Sequence, residues 1–119
     1  MKQFDHEKLE VYQSAVEWVA LAQQIVDGML NAKGHGPLAD QLQRAASSIT
    51  LNVAEGAGEF SPAEKSRFYR IAKRSATECA AALDVAQRRC CIDHTHFSRG
   101  RALLLRIVGM LVKLAQAHC

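Results

Sequence analysis

The sequence predicts an all-α fold, a single domain over residues 1–119 built as an antiparallel up-down-up-down four-helix bundle. Three observations carry this. The chain is 49% hydrophobic but only 6% aromatic, a balance rich in Ala and Leu that suits helices and starves a sheet of the side chains it packs best. Apolar residues recur at spacings of three and four rather than two. Short breaker-rich stretches and cap residues divide the chain into four segments, each long enough for a helix. At 119 residues such a chain can bury one core without cross-links but not a second.

The first helix is expected over about 7–30, ending before "NAKGHGP", where Gly34, Gly36 and Pro37 supply turn chemistry. Leu9, Tyr12, Val16, Val19, Val26 and Leu30 form one apolar seam along it. A second seam, Val11, Ala15, Trp18, Ala22, Ile25 and Met29, lies about a third of a turn away. One seam is expected to face the bundle, and the other implies a second burial partner. The next helix, about 37–56, has Pro37 at its first position, turns Leu38, Leu42, Ala45, Ala46, Ile49 and Val53 inward, and stops at Gly56 and Gly58.

Ser61-Pro62-Ala63-Glu64 reads as a capping box that starts a helix over about 61–89. Its stripe is Phe68, Ile71, Ala72, Ser75, Cys79, Ala82, Leu83 and Ala86, mostly small residues that let a neighbour approach closely. Asp93 is a good N-cap for the last helix, about 94–117, which again carries two stripes. Phe97, Leu104, Val108, Leu111 and Ala115 form one; Leu103, Ile107, Met110, Leu114 and Ala117 form the other. The surplus seams assign Val11, Trp18, Ile25 and Met29, with Leu103, Ile107, Met110 and Leu114, to a subunit interface, and the expectation is a homo-oligomer.

Within "SITLNVAEGAGEFSPAEK", Asn52 sits beside the core stripe while Arg44, Ser48, Leu51 and Glu55 line a flank. Polar side chains beside an apolar neighbour need partners, so these are expected to bond across helices or subunits. No His, Cys or second carboxylate is spaced to make Asn52 and Glu55 catalytic. The fragments "DQLQRAASSI", "NVAEGAG", S-x-x-E-x-x-RF and "IAKRSATE", between Leu38 and Glu78, closely resemble the core motif of the bacterial four-helix bundle family. That family includes proteins encoded in the intervening sequences of 23S rRNA genes and the accessory variability determinant of diversity-generating retroelements. Fainter similarity covers most of the chain. The resemblance implies structural roles for Arg44, Ser48, Asn52, Glu55, Gly56, Gly58, Ser61, Glu64, Ser75 and Glu78, with Arg74 standing where the family often has Gly. It also implies ring assembly, pentameric in the retroelement member, no known catalysis, and nucleic acid and a reverse transcriptase as that member's partners.

Charge is distributed unevenly. Residues 1–59 hold 4 Lys/Arg against 8 Asp/Glu, and residues 60–119 hold 11 against 4. The basic half implies either an anionic partner or self-complementary association. Arg67, Arg70 and Arg74 share an edge of the third helix, with Arg88 and Arg89 returning near it, and Arg99, Arg106 and Lys113 recur every seven residues on the fourth. These eight are the candidate contacts to the phosphate backbone of RNA or DNA, read by charge and shape because no base-reading motif is present. The alternatives are a merely solvated face, or a protein-interaction scaffold without a nucleic-acid role.

Other signals are weaker. Cys90, Cys91, His94 and His96 are too closely spaced to converge on one tetrahedral ion. "EGAGEF" lacks the Lys-Ser/Thr of a phosphate loop. Ser47, Ser48 and Ser75 have no evident activating base, and His6, His35 and His118 lie near the termini or first loop. No enzyme activity, metal or cofactor is expected. "MKQFDHEKLEVY" lacks a signal-peptide apolar run, and Arg106 and Lys113 interrupt the greasiest later segment, so a soluble cytoplasmic protein with reduced Cys79, Cys90, Cys91 and Cys119 is expected.

Overall fold

The computed structural model describes residues 2–30 and 34–118. A 3₁₀ turn, Asp5–Lys8, leads into four helices: α1 (Glu10–Leu30), α2 (Gly36–Gly58), α3 (Pro62–Arg88) and α4 (His94–Ala117). The first helix starts three residues later than the periodicity suggests. Glu7 accepts the Phe4 backbone N–H at 3.2 Å, closing a separate turn, and Leu9 is extended at φ −88°, ψ 130° before α1 begins. Residues 31–33 of the expected first turn, like Cys119, lie outside the described residues. Gly34 has φ +87°, a left-handed conformation that glycine adopts without a Cβ clash.

The other boundaries follow local chemistry. Pro37 occupies the second position of α2, and Gly56 does not stop that helix, which continues to Gly58. Ser61 caps α3 by accepting the Glu64 N–H at 3.4 Å. Only half of the expected box forms, because the Glu64 carboxylate turns away to Arg67 at 3.0 Å. Asp93 caps α4 through the His96 N–H at 2.8 Å. At the end of α3, Cys90 takes φ 56° while Cys90 N and Cys91 N bond back to Gln87 O and Ala86 O, both at 3.0 Å. This is a Schellman ending with a cysteine where glycine is the usual residue.

The backbones of neighbouring helices approach closely around the ring α1–α2–α3–α4, whereas the diagonal α1–α3 is bridged by core side chains, Trp18 against Cys79. The α2–α3 pair is antiparallel: Gly56 meets Tyr69, while Ser48, earlier on α2, meets Ser75, further along α3. The α3–α4 pair runs likewise, with Ser66 against Ala115 and Leu83 against Gly100. Trp18 meets Gly100 and Glu10 meets Arg106 across α1–α4. The body measures 46 × 31 × 22 Å, its long axis close to the roughly 40 Å of a helix as long as α3.

This ring corrects the assignment of the apolar seams. Val11, Trp18, Ile25 and Met29 are core residues, as are Leu103 and Ile107, while Met110 and Leu114 are half-buried against the same core. The six buried side chains are occupied inside the chain rather than presented as a free interface seam, whereas Met110 and Leu114 line a surface groove with Leu9, Glu10 and Lys113. A helix in a four-membered ring has two neighbours, so a wide apolar face is satisfied without another subunit. The seam of α1 that begins at Leu9 is the outer one in part: Val16 and Val19 are 45% and 36% exposed, although Val26 is buried.

On α2, all six residues expected inward are buried. On α3, Ala72, Cys79, Ala82, Leu83 and Ala86 are buried, but Phe68, Ile71 and Ser75 only partly so, and Ser66, Tyr69 and Ala76 join them. Among the described residues no helix is long and apolar enough to cross a membrane.

Candidate nucleic-acid interface

The outward side of α3 carries a group of exposed arginines. Arg67, Arg70, Arg74, Arg88 and Arg89 are all exposed. Of these five, only Arg67 has a carboxylate partner among the described residues, Glu64 at 3.0 Å, and its guanidinium also lies 4.5 Å from the Phe68 ring centroid. That stacking fixes the head of Arg67 along the helix while leaving hydrogen-bond donors outward. An α-helix pinned by its core stripe holds these charges at fixed spacing, in two patches able to meet phosphates, Arg67 to Arg74 and Arg88 with Arg89, with the exposed carboxylates of Glu78 and Asp84 between them.

The α4 stripe has different surroundings. Arg106 lies 4.0 Å from Glu10 of α1. Arg99 and Arg106 share a surface groove with Glu17, and Lys113 lies beside Glu10 in the next groove along. Because the two helices run antiparallel, the heptad of cations on α4 faces an acidic flank of α1, and its field is partly neutralised within the chain. The eight candidate cations therefore do not form one uniform belt.

The polar residues of the hairpin motif resolve into local roles. Ser48 Oγ and Ser75 Oγ are 2.8 Å apart, a hydrogen bond across the α2–α3 contact. Asn52 Nδ2 donates to Ser48 O at 2.8 Å and to Ser48 Oγ at 3.1 Å, completing the cluster. Arg44, Glu55 and Glu78 are exposed. Arg74 is exposed too, so it leaves the close contact made by its neighbour Ser75 undisturbed.

Gly56 is buried, and a Cβ there would lie 2.8 Å from the Tyr69 ring, so its smallness serves the helix contact rather than a helix stop. Periodicity does not single out Lys65, yet its Nζ donates to Gly56 O at 3.2 Å and Ala57 O at 3.0 Å, satisfying the end of α2. Ser66 Oγ likewise donates to Ala115 O at 3.1 Å near the end of α4. Both are contacts between helices, invisible to a reading of one helix at a time.

Cys90, Cys91 and His96 line one groove with Asp93, but their side chains do not converge on a point. His96 Nδ1 lies 2.6 Å from Asp93, which is held below the usual carboxylate range by hydrogen bonds from the His96 backbone N–H and then its ring. His94 faces Ser98 at 3.4 Å, and the Cys91 thiol donates to Ala86 O at 3.4 Å. No metal-binding group of three or more such side chains occurs among the described residues. In the core, burial pushes the Cys79 thiol up to about 12, opposed in part by the indole of Trp18.

Residues 7–113 match the profile of the family described as 23S rRNA-intervening sequence protein. The chain belongs to that family. No curated protein matches it. Among solved structures it is similar to a protein of unknown function from the S23 ribosomal protein family of Bacteroides thetaiotaomicron VPI-5482. The likeness has a TM-score of 0.83 at 19% identity, covering 88% of this chain and 97% of the other. At that identity the neighbour establishes the fold, and the α2–α3 hairpin with its Ser48–Ser75 contact lies inside the span matched to the 23S rRNA-intervening sequence protein family.

Proposed function

We propose that the chain is a non-catalytic, self-associating accessory protein that binds the phosphate backbone of nucleic acid through the outward face of α3. The observation that carries this reading is the run of exposed arginines Arg67, Arg70, Arg74 and Arg88 on one rigid helix, three of them without a carboxylate partner among the described residues. Membership of a family whose description refers to 23S rRNA intervening sequences makes RNA the first substrate to try. A reverse transcriptase is the protein partner suggested by the resemblance to the retroelement member. Self-association is supported by exposed apolar side chains outside the core, Leu51 at 64% and Leu105 at 60% besides Val16 and Val19.

The test is a titration of labelled RNA and DNA at several salt concentrations, with the oligomeric state followed by ultracentrifugation. Binding should weaken steeply with salt, and Arg70→Glu with Arg74→Glu should lower the slope of log K against log salt by about 0.9 on duplex DNA, or about 0.7 on a single strand, for each phosphate that is no longer neutralised. Arg106→Glu, whose partner is Glu10, should cost less. Absence of binding at low ionic strength, or insensitivity to the α3 reversals, would overturn the reading. The second reading, a protein-interaction scaffold with no nucleic-acid role, is favoured by the same exposed apolar side chains and gains if the chain associates but binds no nucleic acid.

A further inference from the structure

We infer that the groove between the N-terminal 3₁₀ turn and the end of α2 is a docking surface for an arginine-bearing segment of a protein partner. Phe60 and Phe4 are the most exposed large apolar side chains among the described residues, at 98% and 72%. Phe4, Asp5, His6, Glu55 and Glu59 line a groove of about 340 Å³, and Phe60 follows Glu59 directly. Neither phenylalanine serves the core. Phe4 stacks on His6 at 5.6 Å between nearly parallel rings, and the Glu7 carboxylate holds its backbone N–H. One aromatic anchor is thus fixed in place before any partner arrives.

Charge selects the occupant. Asp5 has a loose contact to Lys8 at 3.9 Å, and Glu55 and Glu59 have no cationic partner among the described residues. Carboxylates beside exposed aromatic rings, Phe4 with its free face in the groove and Phe60 next in sequence to Glu59, repel phosphate and suit a guanidinium, which stacks on a ring and donates to a carboxylate in the same pose. Lysine has the charge without the planar fork, so arginine should be preferred. The surface belongs to α2 and the N-terminal turn, whereas the proposed nucleic-acid face belongs to α3. Docking here is therefore independent of nucleic-acid binding, and the two surfaces could be filled together.

The experiment measures binding of a labelled oligoarginine peptide, and of oligolysine of equal length, by fluorescence anisotropy at physiological ionic strength. Oligoarginine should bind several-fold more tightly than oligolysine. Phe60→Ala should weaken oligoarginine binding roughly tenfold, as truncation of an aromatic anchor does at interfaces, and so should Glu55→Gln combined with Glu59→Gln. Arg70→Glu with Arg74→Glu should not weaken it. Phe60, Glu55, Arg70 and Arg74 are exposed and Glu59 is half-buried, so the variants should keep wild-type helical circular dichroism. Equal affinity for the two peptides, or affinity unchanged by Phe60→Ala and the Gln pair, would overturn the inference. If those variants instead alter only the oligomeric state, the occupant is a second copy of this chain and the inference is likewise overturned.

Discussion

Single residues in this bundle are set by what stands opposite them. A Cβ at Gly56 would lie 2.8 Å from the buried Tyr69 ring, whereas one at Gly109 would meet nothing within 4 Å. Gly→Ala within a helix gains about 0.5–1 kcal/mol of backbone propensity, but overpacking costs about 1–3 kcal/mol. Gly109→Ala should therefore raise the urea midpoint and Gly56→Ala should lower it.

Cys79 gives a second residue-scale prediction. Its thiol, raised by burial from 9.0 to about 12, keeps its proton in the fold after an unfolded chain would lose it. The stability this contributes is fully present below pH about 9, the unfolded value, and is lost progressively as pH rises toward the folded one. Denaturation midpoints should fall as pH rises from about 9 toward about 12 more steeply for the wild type than for Cys79→Ala. At neutral pH, iodoacetamide followed by peptide mass spectrometry should mark the exposed Cys90 long before Cys79.

At the level of elements, the ends of helices are more asymmetric than motifs suggest. Ser61 caps α3, yet Glu64 spends its carboxylate on Arg67 instead of returning to the cap. Ser61→Ala should cost about 1 kcal/mol, whereas Glu64→Ala should cost less than half of that, since an exposed ion pair contributes little. Thermal or urea melts of the two variants check this order. The caps were legible in the sequence because cap chemistry is local, and so was the division into four helices. The inward seam of α1 was not, since the choice between two seams depends on which neighbours the helix acquires. The acidic flank of α1 beneath the α4 cations is another case: a helical wheel displays the spacing of Arg99, Arg106 and Lys113 but not the Glu10 and Glu17 that stand across from them.

Among the four long helices, every pair whose backbones approach closely joins chain neighbours except one, α1 with α4. The most extensive contact, α2 on α3, is joined by only Glu59, Phe60 and Ser61. Local pairing closes small loops and tends to come early, whereas bringing the first helix to the last closes nearly the whole chain. Ile49 of α2 and Ile107 of α4 are both fully buried, so Ile→Val at either removes one methylene for about 0.5–1.5 kcal/mol. In stopped-flow chevrons Ile49→Val should act mainly by slowing refolding, and Ile107→Val mainly by hastening unfolding. The nearest-neighbour ring thus has a kinetic corollary: the α1–α4 seam should be the last to zip and the first to open, with the lifetime of the native chain governed there.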